Sequence, residues 1–314
     1  MASGRAIAAQ YRQSTPRFGF KDTPREISEV FARLDVFALT FNDDAAPYRY
    51  TLDDLMKTAP EIIPSDFDSI RQAHVVLVDL LRWMLILGSH IRRNASTSPG
   101  TPSGFEEQLA ACRHRFCEWK QYWDQLILDT DGIDLLHVHN VDLWYTWAII
   151  LINAGFFGHE TRYDAQLHHF ERLVHLCEAI SHNISCVAEI AAFSLDLGYL
   201  VPAFFCAIRC RDPQLRRRAI RVLESRDRRE AFWGSTGAAA IATRWMQVEE
   251  EDLGEIASVE EVPESKRICN VFVQVNAEKN SAQVGFNLSS SWPATDRIDI
   301  REEIEWNRNK RRCK

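Results

Sequence analysis

Apolar residues recur at helical spacing through most of the chain up to about residue 250. From Phe67 to Gly88 they follow one another at steps of three and four, which is the spacing of one helix face. This pattern predicts a long helix over about 65–90. The same spacing predicts further helices over 105–128, 134–157, 161–183 and 229–250. Asp212 and Pro213 predict one more helix start, because aspartate caps a first turn and proline fits its first position.

The period of the pattern changes near the C-terminus. Apolar and polar residues alternate over Cys269–Val275 and again over Ala282–Leu288, with the polar stretch 276–280 between them. A period of two is typical of β-strands, and two such runs joined by a short polar stretch indicate a hairpin. The sequence therefore predicts an all-α fold, either a multi-helix bundle or stacked helix pairs, with a small C-terminal β-hairpin.

Composition indicates how this fold is divided along the chain. Residues 94–104 are dense in Ser, Pro, Thr and Gly and predict a flexible loop inside the helical part. The predicted segments are a flexible arm (1–22), a helical domain (23–252), an acidic linker (253–266), a β-hairpin packed on the helical domain (267–290) and a basic, mobile tail (291–314).

Charge and apolar length exclude two classes of function. The chain has 37 basic and 44 acidic side chains, a net charge of −7, so it is not a nucleic-acid binder by bulk electrostatics. The apolar stretch Leu143–Ile152 is shorter than the roughly 20 residues of a membrane span and predicts a buried helix, not a membrane association. The eight cysteines form no C-x-x-C pair and are expected to be reduced thiols.

Common catalytic and cofactor-binding motifs do not occur in the sequence, neither a phosphate-binding glycine loop nor H-E-x-x-H. We therefore predict no catalytic residue, no cofactor and no metal site. A strip of histidines and glutamates on one helix face could be a metal site or two solvated i,i+4 pairs. His168 and His175 are seven residues apart, about 10.5 Å along a helix, which favours the solvated pairs. The strip consists of His168, Glu171, His175, Glu178 and His182.

Nine arginines lie between Arg209 and Glu230. Their density would suit contact with phosphate groups. However, Asp212, Glu224 and Asp227 are interleaved with them, and arginines can equally bind carboxylates of neighbouring helices. The interleaved charge favours a structural arginine network.

Four tryptophans lie in pairs at helical spacing: Trp119 with Trp123, and Trp144 with Trp147. Aromatic residues at this spacing are usually part of a core. Binding pockets for small apolar ligands have the same kind of lining. The sequence leaves both interpretations open.

The segment from Asp196 to Glu250 resembles the fungal-specific regulatory region of binuclear zinc-cluster transcription factors. The motifs that carry the resemblance are Asp196, Gly198 and Pro202; Cys210-Arg211-Asp212-Pro213; Arg217-Arg218; Arg228-Arg229-Glu230 with Trp233; and Glu249-Glu250. The resemblance extends loosely over about 28–288 and implies that 23–252 is a regulatory domain. Its implied structural signature is Asp212, Pro213, Arg217, Arg218, Glu230 and Trp233. Ala231 departs from the family pattern, in which glycine is usual at this place.

The resemblance also implies a function. Such factors read DNA with an N-terminal cluster of six cysteines, and this chain has no cysteine before Cys112. We therefore expect a nuclear regulatory protein that controls metabolic gene expression through ligand or partner binding, without a DNA reader of its own. Its expected partners are other regulatory proteins, a second copy of itself or a small apolar ligand. The alternatives for its function are an enzyme on the same helical scaffold in a secondary-metabolite pathway and an interaction scaffold. The alternative to the nucleus is the cytoplasm.

Overall fold

The computed structural model describes residues 25–40, 50–51, 55, 63–95, 105–186, 193–289 and 298–306. This part of the chain is mostly helical with two small sheets, which confirms the predicted fold class. The helices are α1 (Arg25–Leu39), α2 (Ile70–Ala95), α3 (Phe105–Asp129), α4 (Leu135–Ala154), α5 (Leu167–Cys186), α6 (Leu200–Arg209), α7 (Pro213–Glu224) and α8 (Ser235–Glu250). The strands are β1 (Phe193–Ser194), β2 (Arg229–Glu230), β3 (Trp233–Gly234), β4 (Ile268–Asn276), β5 (Ser281–Leu288) and β6 (Ile300–Glu305).

The chain forms two compact units, Met1–Gly132 and Ile133–Lys314. The sequence predicts one helical domain across this boundary, because it shows no linker composition there. The connection at the boundary is a short turn, in which Gly132 has a φ of 69°. The helices predicted over 105–128 and 134–157 leave a break here, but a connection this short also joins helices within a single unit, so the sequence gives no sign of the division. The Ser- and Pro-rich stretch 96–104 lies outside the described residues.

The first unit contains α1, α2 and α3, and α2 packs against both of the others. The buried side of α3 carries Trp119, whose Nε1 donates to the carbonyl of Ala73 in α2 at 2.9 Å. Arg82 of α2 forms an ion pair with Asp35 of α1 at 2.9 Å. These contacts pair the indole N–H of Trp119 and the charges of Arg82 and Asp35 across the two helix interfaces.

The second unit is built around α4, which is apolar on nearly all sides and buries ten of its residues. Asp134 caps its first turn by accepting from the backbone N–H of Leu136 at 3.0 Å. Gly155, with a φ of 77°, ends the helix in a conformation that favours glycine. Helices α5 to α8 pack as successive neighbours, and α8 contacts both α6 and α7.

A three-stranded antiparallel sheet in the order β4-β5-β6 packs on α8. The predicted hairpin is confirmed, since Val271 pairs with Phe286 and Val275 with Ala282. The prediction that 291–314 is a tail is wrong at 300–305, which pair with β5 as β6. Four of the six β6 residues are charged, so the strand lacks the apolar alternation that revealed its neighbours.

Two further predicted boundaries differ from the structure. The helix predicted over 229–250 begins only at Ser235, because Arg229–Glu230 and Trp233–Gly234 pair as a tight hairpin in which Ala231 has a φ of 48°. The predicted acidic linker 253–266 contains two short 3-10 turns, and Val259 and Val262 are buried in it. The predicted arm, most of the loop 94–104 and the basic end of the tail lie outside the described residues.

Among the residues that the structure describes, two helices are long and apolar enough to cross a membrane: Ile70–Asn94 and Leu135–Ala154. In the structure, 72% and 56% of their apolar windows are buried inside the protein. Burial of this extent is typical of core helices.

Candidate functional site

Helix α7 begins as the sequence predicts. Asp212 accepts from the backbone N–H groups of Gln214 at 3.0 Å and Leu215 at 2.9 Å, and Pro213 occupies the first helical turn. This cap satisfies the free donors of the helix N-terminus and fixes the direction in which the arginines of α7 project.

Arg216 lies on the buried face of α7, three and four residues before Ala219 and Ile220. Its side chain is fully buried. Its Nε donates to the carbonyl of Ala207 at 2.9 Å, and its Nη2 pairs with Glu249. A buried guanidinium needs such partners, because an unpaired charge in the interior is costly.

Arg211, just before the helix, is the second buried arginine. Its Nη2 and Nε donate to the two carboxylate oxygens of Glu249 at 2.7 and 3.3 Å. Its Nη1 donates to Glu160 at 3.2 Å. Burial acts to lower the pKa of Arg211, but Glu249 and Glu160 outweigh it and raise the pKa above its usual range.

Glu249, near the end of α8, is the centre of these contacts. Besides the two arginines it accepts from Trp245 Nε1 at 3.0 Å and from the backbone N–H of Ile268 at 2.8 Å. Burial alone would raise the pKa of Glu249, but Arg211 and Arg216 outweigh it and lower the pKa to about 2. The carboxylate therefore stays ionised wherever the protein is folded near neutral pH.

Arg209 completes the cluster, which we call the arginine–glutamate network: Glu160, Arg209, Arg211, Arg216 and Glu249. Arg209 pairs with Glu160 at 2.6 Å and donates to the carbonyls of Ile268 and Cys269 at 3.1 Å each. The network thus joins the segment after α4, the α6–α7 junction, the end of α8 and the start of β4. It holds the elements of the second unit together.

The contacts favour the structural interpretation of the arginine-rich segment over phosphate binding. Seven of its nine arginine side chains donate to carboxylates or carbonyls of the described residues: Arg209, Arg211, Arg216, Arg217, Arg218, Arg226 and Arg228. Such guanidinium groups are not available as a row of phosphate ligands.

Glu230 of the predicted signature is fully buried and serves as a cap for α6. Its carboxylate accepts from the backbone N–H groups of Tyr199 at 3.2 Å and Leu200 at 2.9 Å, and pairs with Arg228 at 2.9 Å. Burial raises the pKa of Glu230, and these donors oppose the increase without cancelling it. Gly198 lies against this carboxyl group, with no room for a Cβ atom.

Trp233, the last residue of the predicted signature, is half-buried in β3. Its ring packs on Phe204 of α6 with a centroid distance of 5.1 Å. It therefore joins the β2–β3 hairpin to the helix that Glu230 caps.

The outer face of α7 borders an open cleft of about 780 Å³. The opposite wall is the backbone segment after α8 that contains Glu255 and Ile256. Arg217 pairs with Glu250 at 2.7 Å and Arg218 with Glu178 at 2.7 Å, and both guanidinium groups stay partly exposed. Arg221, also on this wall, is exposed and makes no ion pair or hydrogen bond with the described residues. We call this feature the α7 cleft.

The four tryptophans are divided between the two units. Trp119 and Trp123 stack at 5.5 Å in the first unit, whereas Trp144 and Trp147 meet edge to face at 5.2 Å in the second. All four are buried, and Trp144 donates to the carbonyl of Gly198 at 2.9 Å. Their surroundings are those of core residues.

The histidine strip of α5 is not assembled into a metal site. Glu178 of this strip binds Arg218 with both carboxylate oxygens, at 2.9 and 2.7 Å. Within the described residues, no three His, Cys, Asp or Glu side chains are arranged to hold a metal ion.

The sequence pointed to the correct segment, but the predicted signature does not contain the two arginines that are fully buried there. The predicted signature contains Arg217 and Arg218, which remain partly exposed, and omits Arg211 and Arg216, which are fully buried. Helical spacing could have identified Arg216, because it lies on the same face as Ala219, Ile220 and Leu223. The partner Glu160 has no local signal, since it is 51 residues before Arg211.

A family model described as a fungal-specific transcription factor domain matches residues 3–242. The match includes α7 and ends inside α8. The comparisons with curated proteins and with solved structures found no match.

Proposed function

Because the chain belongs to the family of fungal-specific transcription factor domains, we propose that it is the regulatory part of a transcriptional regulator and acts through protein contacts, not through DNA bases. We further propose the nucleus as its place of action and metabolic genes as its targets. The chain also has no cysteine before Cys112, which supports the absence of a zinc-cluster DNA reader from this chain.

The observation that carries this proposal is that most arginines of the segment 209–230 bind groups of the protein itself. The segment 209–230 carries nine arginines, more than any non-overlapping stretch of equal length, yet its arginine–glutamate network faces inward. A DNA-binding surface needs several guanidinium groups directed at phosphates. The segment supplies instead a rigid frame that presents the outer face of α7.

We place the contact with a partner in the α7 cleft. Arg217 and Arg218 of its wall are already paired with Glu250 and Glu178. Arg221 adds an exposed guanidinium to the same wall. The cleft is open along the helix, whereas sites for small molecules enclose most of the ligand. An acidic segment of another regulatory protein fits this wall best, because arginine binds carboxylates with two parallel hydrogen bonds.

A reporter assay tests this proposal. The full chain is fused to an unrelated DNA-binding domain, and expression of a reporter gene is measured in a fungal host. Arg221→Glu should reduce the effect of the fused chain on the reporter at least about tenfold, because a like charge then faces the acidic partner.

Arg229→Glu is the matched control. Arg229 is also exposed, and its side chain makes no ion pair or hydrogen bond within the part of the chain that the structure describes, but it lies in β2 away from the cleft lining. This variant should leave the reporter effect unchanged. Equal effects of both variants, or no effect of Arg221→Glu, would refute the α7 cleft as the contact.

A further inference from the structure

The α7 cleft has two walls of opposite charge. Helix α7 forms one wall, and its charged side chains in the cleft lining are Arg217, Arg218 and Arg221. The segment after α8 forms the other wall, and its charged side chain is Glu255. A partner that enters the cleft therefore meets guanidinium groups on one side and a carboxylate on the other.

Two of these four charges are already compensated within the protein. Arg217 and Arg218 are each paired with a glutamate at 2.7 Å. Arg221 and Glu255 are both exposed, and they form no ion pair or hydrogen bond with each other or elsewhere in the described residues. The described lining of the cleft thus offers an entering segment one uncompensated charge of each sign, on facing walls.

The wall that carries Glu255 is held in place by the neighbours of this residue in the chain. Gly254 turns the chain after α8 with a φ of 74°, a conformation that favours glycine. Ile256, on the other side of Glu255, is buried. The wall can therefore move back from the cleft only at the expense of this buried contact.

A partner in the cleft removes water from both uncompensated charges. A charge that loses its hydration needs an opposite charge in return, and two like charges brought together oppose association. A purely acidic segment would satisfy Arg221 but would be repelled by Glu255. A segment that directs an acidic residue toward α7 and a basic residue toward Glu255 compensates both walls.

We propose that the α7 cleft selects a segment of another regulatory protein in which acidic and basic residues alternate, so that a carboxylate faces Arg221 and a lysine or arginine faces Glu255. Glu255 then determines specificity, because it rejects purely acidic segments. This inference rests on the function proposed above, in which the cleft is the contact with a partner. It adds the basic residue of the partner and the role of Glu255.

The reporter assay with the fused full chain tests this proposal, because the two kinds of partner predict opposite results for one variant. Glu255→Lys should reduce the effect on the reporter at least about tenfold, since the basic residue of the partner then faces a lysine. With a purely acidic partner the same variant would increase the effect, because it replaces a repulsive charge by an attractive one. An increased or unchanged effect would overturn the proposal.

Glu278→Lys is the matched control, since it changes the net charge by the same amount. Glu278 is exposed in the turn between β4 and β5, outside the cleft lining, and its side chain makes no ion pair or hydrogen bond with the residues that the structure describes. This variant should leave the reporter effect unchanged, and circular dichroism shows whether each variant is folded. An equal loss in both lysine variants would show a general effect of charge and would contradict the role of Glu255.

Arg221→Glu separates this proposal from the function on which it rests. If Arg221→Glu leaves the reporter effect unchanged, the cleft is not the contact and both proposals fail. If Arg221→Glu reduces the effect but Glu255→Lys does not, the cleft remains the contact and only the alternating charge of the partner is refuted.

Discussion

Glu249→Gln should lower the free energy of unfolding of the second unit by about 3–5 kcal/mol, the largest effect that we expect from any single change. The substitution keeps the shape of the side chain but removes its charge. Arg211 and Arg216, both fully buried, then lose the carboxylate that compensates them. A buried guanidinium without an opposite charge must be hydrated or forced outward, and either change disturbs the packing of α7 on α8.

Urea denaturation followed by circular dichroism and tryptophan fluorescence measures this effect. Trp245 reports directly on the site, because its Nε1 donates to Glu249. Glu178→Gln is the matched control: it removes the same charge from an arginine pair, but at a site where Glu178 is 39% and Arg218 30% exposed. Exposed pairs contribute at most about 1 kcal/mol. Similar losses for both variants would show that the network has no special role.

Gly198→Ala should lower the free energy of unfolding by about 3 kcal/mol, although it adds a single methyl group. The new Cβ would overlap the carboxyl group of Glu230. A long side chain usually moves away from such a contact, but this carboxylate is fully buried and held by Arg228 and two backbone N–H groups. Any displacement leaves buried polar groups without partners.

Gly234→Ala provides the control, because a Cβ atom at Gly234 would meet nothing within 4 Å. This variant should lower the free energy of unfolding by less than about 1 kcal/mol, because alanine is only somewhat less favourable than glycine at the residue that precedes α8. In a Glu230→Ala background, Gly198→Ala should cost far less than in the native protein, since the group that it meets is gone. Additive losses in this double-mutant cycle would contradict the proposed clash.

Local patterns predicted most of the secondary structure. The start of α7 at Asp212 and Pro213 and the β4–β5 hairpin were found because capping residues and period-two alternation are encoded within a few positions. Strand β6 was missed because only Ile300 and Ile304 carry its apolar alternation. The break between helices at 129–133 follows from the predicted helix bounds, but the division of the chain into two units at this break was missed, because short helix connections also occur within a single unit.

The site was harder to predict because its contacts join distant parts of the sequence. The density of arginines indicated a structural network, but the carboxylates that complete it are 51 and 38 residues from Arg211. The second wall of the α7 cleft is the segment after α8. Helical periodicity does not show that this segment lies next to α7. Three-dimensional packing, not local preference, selects these partners.

Equilibrium titration of the full chain against randomised DNA duplexes, at rising salt concentrations, tests most directly whether the arginines of 209–230 serve the fold and not DNA. We expect only weak binding, with a dissociation constant above about 1 µM at physiological salt, equal for all sequences and lost as salt increases. Selection of one duplex sequence that is still bound tightly at physiological salt would contradict this result, because base recognition would then reside in this chain.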